Sequence, residues 1–453
     1  MPPAIVPADT LFVLISTALV LLMTPALALF YGGLARAKNI LNTTMMSLGA
    51  FAVVGMVWTV VGYSLAFGSG SDFLGSFAHL VLRDVGLGAR AGTTVPELLF
   101  FAYQGTFAII TPALISGALV ERMRFRAYLA FLGAWSLLVY APVAHWVWGG
   151  GWLGKMGVLD FAGGTVVHIT AGTAAFVAAK MVGPRRDYGR QAFLPHNVPM
   201  MLTGAALLWF GWIGFNGGSA LAVNGTAALA TVNTVIAPLA TLAMWMGIDF
   251  VRGGRATAVG AGTAIVVGLV AITPACGFVS PRGALAIGAI SAIPCYFAIL
   301  KRASTRLDDS LDVVGAHGTG GITGALLTGV FASAAWGGTD GLIHGNAALV
   351  GKQFIGVAAT IVWTAVVTWG ILVGIRAITP LRVAERDEAM GLDVVEHGEE
   401  GYTDGEGAIL VLQSVDAGAA KGAASLATHG AATHACTSAT PALATLSSLP
   451  RSA

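Results

Sequence analysis

Charge is missing from ten long stretches of this chain, and that absence constrains the fold more than any residue present. No Asp, Glu, Lys or Arg occurs within 10–35, 39–71, 98–120, 127–154, 161–179, 191–248, 256–281, 283–300, 313–339 or 353–375. About 20 apolar residues carry a helix across a bilayer, where every backbone N–H and C=O must be bonded within the segment. The 58 residues of 191–248 are too many for one crossing, and the polar, glycine-bearing NGGSALAVNG at 216–225 divides them. The expected fold is an all-α membrane protein of eleven transmembrane helices. A soluble enzyme is excluded by the number of such runs.

Only 10% of residues are charged, against about 25% in ordinary soluble domains. Cys276, Cys295 and Cys436 show no paired spacing, so no disulfide framework or zinc site is expected. The net charge of +2 comes without a basic tract, which leaves no reason to expect a nucleic-acid partner. The opening MPPAIVPADT has neither a positive n-region nor a small-residue cleavage site, so the first run reads as a span rather than a signal peptide.

Positive charge sets the orientation. Seventeen Lys and Arg residues, from Arg36 to Arg386, flank one set of helix ends, and only Arg83, Arg90, Lys155, Arg282 and Lys352 flank the other. This places the amino terminus outside and, after an odd number of crossings, the carboxyl terminus inside. Residues 379–410 then form a cytoplasmic tail. Residues 411–453 are low in complexity, with 13 alanines among the 37 residues of 417–453, and disorder is expected.

Two histidines lie inside these apolar runs, His168 in GGTVVHITAG and His317 in DVVGAHGTGGI. An ionisable ring in hydrocarbon is costly and marks a functional site; the plainer reading is that each ring satisfies a neighbouring helix by one hydrogen bond. Their positions favour function. His168 falls in helix five and His317 in helix ten, each beside glycines that allow close helix approach, and each after an acidic residue at the helix entrance, Asp160 and Asp312. Halves at about 8–182 and 197–335, with a long eleventh helix at 351–378, match an inverted 5+5 repeat with a midplane site.

Tyr103, Phe107, Trp148 and Phe215 fall near Asn216, Ser219 and Asp160 in expected depth. Rings with a hydroxyl suit a small cation, because ring faces attract positive charge. An interfacial aromatic belt is the alternative, and it is the reading for Trp135, Trp152 and Trp336. No nucleotide-binding loop, HExxH or Ser–His–Asp pattern occurs, and two histidines are too few to hold a metal. No cofactor is expected.

The strings ALALFYGGLARAKN, YQGTFA, ERMRF, HWVWGGGWL, LDFAGGTVVHI, PHNVPM, GFNGGSA, TPACGFV, DVVGAHGTGGI and GLDVVEHGEEGY resemble the Amt/Mep branch of the ammonium transporter family from about residue 8 to 403. The resemblance implies a homotrimer in the inner (plasma) membrane, each protomer with its own pore for ammonium or methylammonium. It assigns Trp148, Tyr103, Phe107 and Ser219 to an outer ammonium-recruitment site, with Asp160 shaping it from behind. Phe107 and Phe215 would form a gate, and His168 and His317 a twin-histidine pair lining an apolar pore for ammonia. Tyr103 stands where many relatives carry phenylalanine, and Thr319 where some carry cysteine. The tail would meet a PII-type regulatory protein. An ammonium sensor and a neutral-gas channel of the Rh type are the rival readings; Trp148 and Ser219 weigh against the second.

Overall fold

The structure, a computed structural model, describes residues 4–402. The expectations for 403–410 and 411–453 lie outside the described residues. Among the described residues nine helices are long and apolar enough to cross a membrane: α1 (Pro7–Leu34), α2 (Ala37–Phe67), α3 (Glu97–Ala118), α4 (Phe125–Met156), α5 (Gly164–Val182), α6 (Val198–Ala220), α7 (Gly225–Gly253), α9 (Pro281–Arg302) and α11 (Ala347–Ile378). Between them lie a shorter apolar helix, α8 (Ala258–Ile272), and α10, a π-helical segment Val314–Thr319 running into an α-helix Gly320–Phe331. No named strand occurs among the described residues, only isolated bridges.

Local chemistry sets the helix ends. Asn197, Asn224, Thr257 and Ser280 each accept a backbone N–H from the first turn of α6, α7, α8 and α9, which satisfies one of the orphan donors there. Proline stands in the first turn of α1, α6 and α9, where its missing N–H costs nothing. The break between α6 and α7 falls within the polar segment the sequence marked, at Leu221 with φ of 54°. α11 starts at Ala347, ahead of its charge-free core; Lys352 stands in its second turn, where a long side chain can reach a polar boundary.

α1 packs along α6, and α11 lies across both α5 and α10. α5 and α10 meet backbone to backbone: a Cβ on Gly172 would sit 2.2 Å from the Gly318 Cα. Trp135, read from sequence as a belt residue, is instead fully buried, and its indole donates to Thr368 Oγ1 (3.1 Å), fastening α4 to α11. Apolar side chains such as Phe354, Val362, Val366 and Trp369 on α11 stay exposed, as a lipid-facing surface requires.

At the tail-bearing end, buried charges join distant loops. Glu121 pairs with Arg36 (2.7 Å) and Arg185 (3.0 Å), and Arg185 pairs with Asp308 (2.9 Å). Burial favours the neutral acid at Glu121, but the Arg185 and Arg36 guanidiniums outweigh it and hold the carboxyl below its ordinary range. The tail returns to the same end: Asp393 accepts the Asn42 N–H (2.8 Å), and Asn39 accepts the Leu392 N–H (2.8 Å).

Gly172→Val is predicted to force α5 and α10 apart. Overpacking a fixed interface costs about 1–3 kcal/mol or more, so the variant in detergent should melt well below the wild type. An unchanged melting curve would contradict this contact.

Candidate functional site

Two carboxylates organise the site from the backbone outward. Asp160 accepts the N–H groups of Gly163 (2.9 Å), Gly164 (2.7 Å), Thr165 (2.8 Å) and Val166 (3.0 Å). The N–H groups at the start of α5 are thereby satisfied by one buried side chain. At the start of α10 the equivalent residue is Asp309, which accepts Val313 N–H (3.1 Å) and Val314 N–H (2.7 Å). Asp312 stands at the helix entrance, as expected from the sequence, but does not take this capping part. Asp312 has a φ of 60° and pairs with Arg302 at 2.7 Å; nearness to the helix start was a poorer guide than register. Asp160 lies eight positions before His168 and Asp309 eight before His317, so the matched spacing was there to be read.

Both histidines stand on π-helical segments, Gly164–Ile169 and Val314–Thr319, and Phe215 stands on a third, Ile213–Gly217. Such wide turns recur at functional sites, since they turn a side chain away from the regular helix face. The two rings are buried and face each other, Nδ1 to Nδ1 at 3.2 Å. Only one proton fits between two such nitrogens, so one donates and the other accepts. His168 Nε2 is buried without a partner. Trp212 stacks on the His168 ring (5.4 Å, 24°), its own N–H held by Thr273 Oγ1 at 2.9 Å.

A tight cavity of about 10 Å³ lies beside this pair, walled by Leu27, Ile110, Leu114, Val167, Leu208, Trp212 and Phe215 as well as the histidines. His317 and Tyr31 also line a second, wider cavity, which reaches Arg302, Ser310 and Asp312. At the opposite end Phe215 stacks on Phe107 (4.1 Å, 25°), and both are almost wholly buried. Beyond Phe107 lie Tyr103 (5.0 Å) and, edge-on at 6.1 Å, Trp148. The Tyr103 hydroxyl lies 2.9 Å from the Gly214 carbonyl oxygen, 3.0 Å from that of Phe215 and 3.3 Å from Ser219 Oγ; Ser219 donates to the Phe215 oxygen (2.8 Å). The Trp148 indole donates to the Asp160 carbonyl oxygen (2.9 Å).

Seven of the eight site residues expected from the sequence therefore fall into one connected series: Trp148 and Tyr103 against Phe107, Ser219 against Tyr103 and Phe215, then Phe215, His168 and His317. Asp160 is joined to it through Trp148 and α5, with its carboxylate turned to backbone rather than to the ring cluster. Trp212 and Asp309 were not anticipated; Trp212 lies three positions before Phe215 in WIGF, one helical turn away. No group of three or more metal-ligating side chains occurs among the described residues.

These features define a multi-pass helical membrane protein with two paired imidazoles beside a small, largely apolar cavity. Residues 11–402 match the model of the Ammonium Transporter Family. An ammonium transporter of Aquifex aeolicus is 49% identical over 397 residues, covering 87% of this chain and 93% of that relative. The crystal structure of Candida albicans Mep2 superposes with a TM-score of 0.80 at 36% identity, over 84% of this chain and 88% of that one. A solved protein described as a sensor Amt protein gives 0.80 at 30% identity, over 86% and 98%. The chain belongs to the ammonium transporter family, a class of transporters and not of enzymes.

An orphaned buried donor costs about 1–3 kcal/mol. Asp160→Ala and Asp309→Ala are therefore expected to lower the melting temperature in detergent more than Asp312→Ala does. The reverse order between Asp309 and Asp312 would count against Asp309 as the cap.

Proposed function

We propose that this chain carries ammonium nitrogen across the inner membrane by capturing NH4+ at an outer aromatic site, removing a proton, and conducting NH3 through a dry passage. α8 and α10 cross with the nine longer helices, giving eleven spans, two inverted halves plus α11, the amino terminus outside and the tail inside. The protomers assemble as a homotrimer, each with its own passage.

The ion docks against Trp148, Phe107 and Tyr103, drawn by the ring faces. Ser219 already donates to the Phe215 oxygen, so its free lone pairs accept from an ammonium N–H. Potassium has a similar charge but no N–H to give. Asp160 acts from behind: its carbonyl oxygen holds the Trp148 indole, and its carboxylate holds the helix that carries His168. Past the stacked Phe107 and Phe215, the passage is too apolar for a bare cation, so NH4+ passes its proton to water at the outer mouth, giving H3O+ there, and NH3 proceeds. His168 and His317 then supply the polar atoms that meet ammonia along the way, chiefly the unpartnered Nε2 of His168.

The observation that carries this reading is the Nδ1-to-Nδ1 contact of 3.2 Å within an otherwise apolar cavity. It fixes both rings edge-on to the passage with a single proton between them, an arrangement a purely structural histidine does not need.

A second reading, an ammonium sensor, rests on the ordered packing of residues 379–402 against the start of α2, which offers a PII-type protein a formed surface. A sensor that did not transport would pass no substrate when reconstituted alone.

His168→Ala and His317→Ala are predicted to abolish selective methylammonium uptake in proteoliposomes while the trimer still forms. Wild-type uptake with potassium excluded, in both variants, would overturn the assigned role. Trp148→Leu should raise the concentration for half-maximal uptake by roughly three- to thirtyfold, the loss of about 0.7–2 kcal/mol of cation–π attraction. Methylammonium accumulation by the same vesicles separates transport from sensing, and ammonium-evoked against potassium-evoked current reports whether charge crosses with it.

A further inference from the structure

α11 stands outside the two halves, yet one of its side chains reaches the elements that carry the site in both. Gln353 is about 1% exposed. Its Oε1 accepts the Leu159 N–H (2.7 Å), and its Nε2 donates to the Leu159 carbonyl oxygen (2.8 Å) and to the Ala325 carbonyl oxygen (3.0 Å). Leu159 is the residue before Asp160, and Ala325 lies on α10, two turns beyond His317.

The stretch 158–160 is irregular: the Val158 N–H goes back to the Leu153 carbonyl oxygen (3.0 Å) and the Asp160 carbonyl oxygen takes the Trp148 indole (2.9 Å), which leaves the two backbone groups of Leu159 between them. Buried N–H and C=O groups must nonetheless be paired. The Gln353 amide pairs with both groups of Leu159, as a neighbouring peptide unit would in a sheet. The reversed amide would set an NH2 against an N–H and an oxygen against two carbonyls, so the partners fix its orientation. One turn along α11, Gly356 lets Val158 come close: a Cβ there would meet the Val158 side chain at 2.9 Å.

We propose that Gln353 is a positioning residue for the outer cation site: it sets the backbone of Leu159 and hence Asp160, whose carbonyl oxygen orients Trp148. The third bond, to Ala325, holds that same loop in register with the helix bearing His317. Gln353 touches neither the substrate nor the rings; it acts through Asp160 and Trp148. This rests on the outer-site reading given above.

The test is methylammonium uptake by the full-length protein in proteoliposomes, with each rate normalised to folded trimer and each variant's melting temperature recorded. Gln353→Leu keeps the bulk and removes all three bonds. It is expected to raise KM roughly tenfold, as about 1.4 kcal/mol of lost positioning would, with a smaller change in maximal rate. Gln353→Glu keeps an acceptor for the Leu159 N–H but sets an oxygen against the Leu159 and Ala325 carbonyl oxygens, so it is expected to raise KM as well. The double variant with Trp148→Leu should show the KM of Trp148→Leu alone, because the two act in one chain.

A wild-type KM in Gln353→Leu, when Trp148→Leu has raised it, overturns the role of Gln353 and leaves the outer site standing. A wild-type KM in Trp148→Leu overturns the outer site and this inference together. A maximal rate that falls with unchanged KM, or a shift that multiplies with that of Trp148→Leu, makes Gln353 a plain structural residue.

Discussion

Hydrogen bonding inside a bilayer is compulsory, and the architecture of this protein depends on how its backbone meets that demand. Water cannot rescue an open N–H at mid-depth, yet a passage for a small polar molecule needs irregular backbone to aim its side chains. Asp160 resolves the conflict for α5 by accepting four N–H groups, and Asp309 does so on a smaller scale for α10. Because the chain caps these helix starts itself, the apolar space between them is left without orphaned backbone donors from those turns.

The π-helical segments extend the same logic. A wide turn shifts hydrogen bonding by one residue and rotates the succeeding side chains about the helix axis, and three of these turns bring Phe215, His168 and His317 to one small cavity. Regular helices would have left those rings against neighbouring helices, in the role the plainer reading of a buried histidine assigns. Trp212 then fills the space behind His168, so the ring that carries the unpartnered nitrogen is held flat rather than free to turn.

The sequence disclosed the helices because hydrophobic length is a one-dimensional property: the charge-free runs mark the spans, and the polar break near Leu221 separates α6 from α7. The histidines were legible for the same reason, since an ionisable residue stands out against apolar neighbours. What escaped depended on folding in three dimensions. Asp312 looked like the partner of Asp160 because it lies nearer the helix, but its backbone turns into the left-handed region and its carboxylate goes to Arg302. Trp135 looked like a membrane-surface anchor until Thr368 of α11 was seen to take its indole. Gln353 had no signal, since a lone glutamine in an apolar helix does not announce that it reads a peptide unit nearly two hundred residues away.

The meeting of Gly172 with Gly318 has a consequence for how turnover proceeds. A carrier that rocks one half against the other needs a slip plane between them. Here that plane is occupied by touching main chain, bridged by α11 on one flank and pinned at the tail end by Glu121, Arg185 and Asp308. Sliding α5 past α10 would break that contact and the buried ion pairs together, whereas turning the stacked rings of Phe107 and Phe215 would disturb neither.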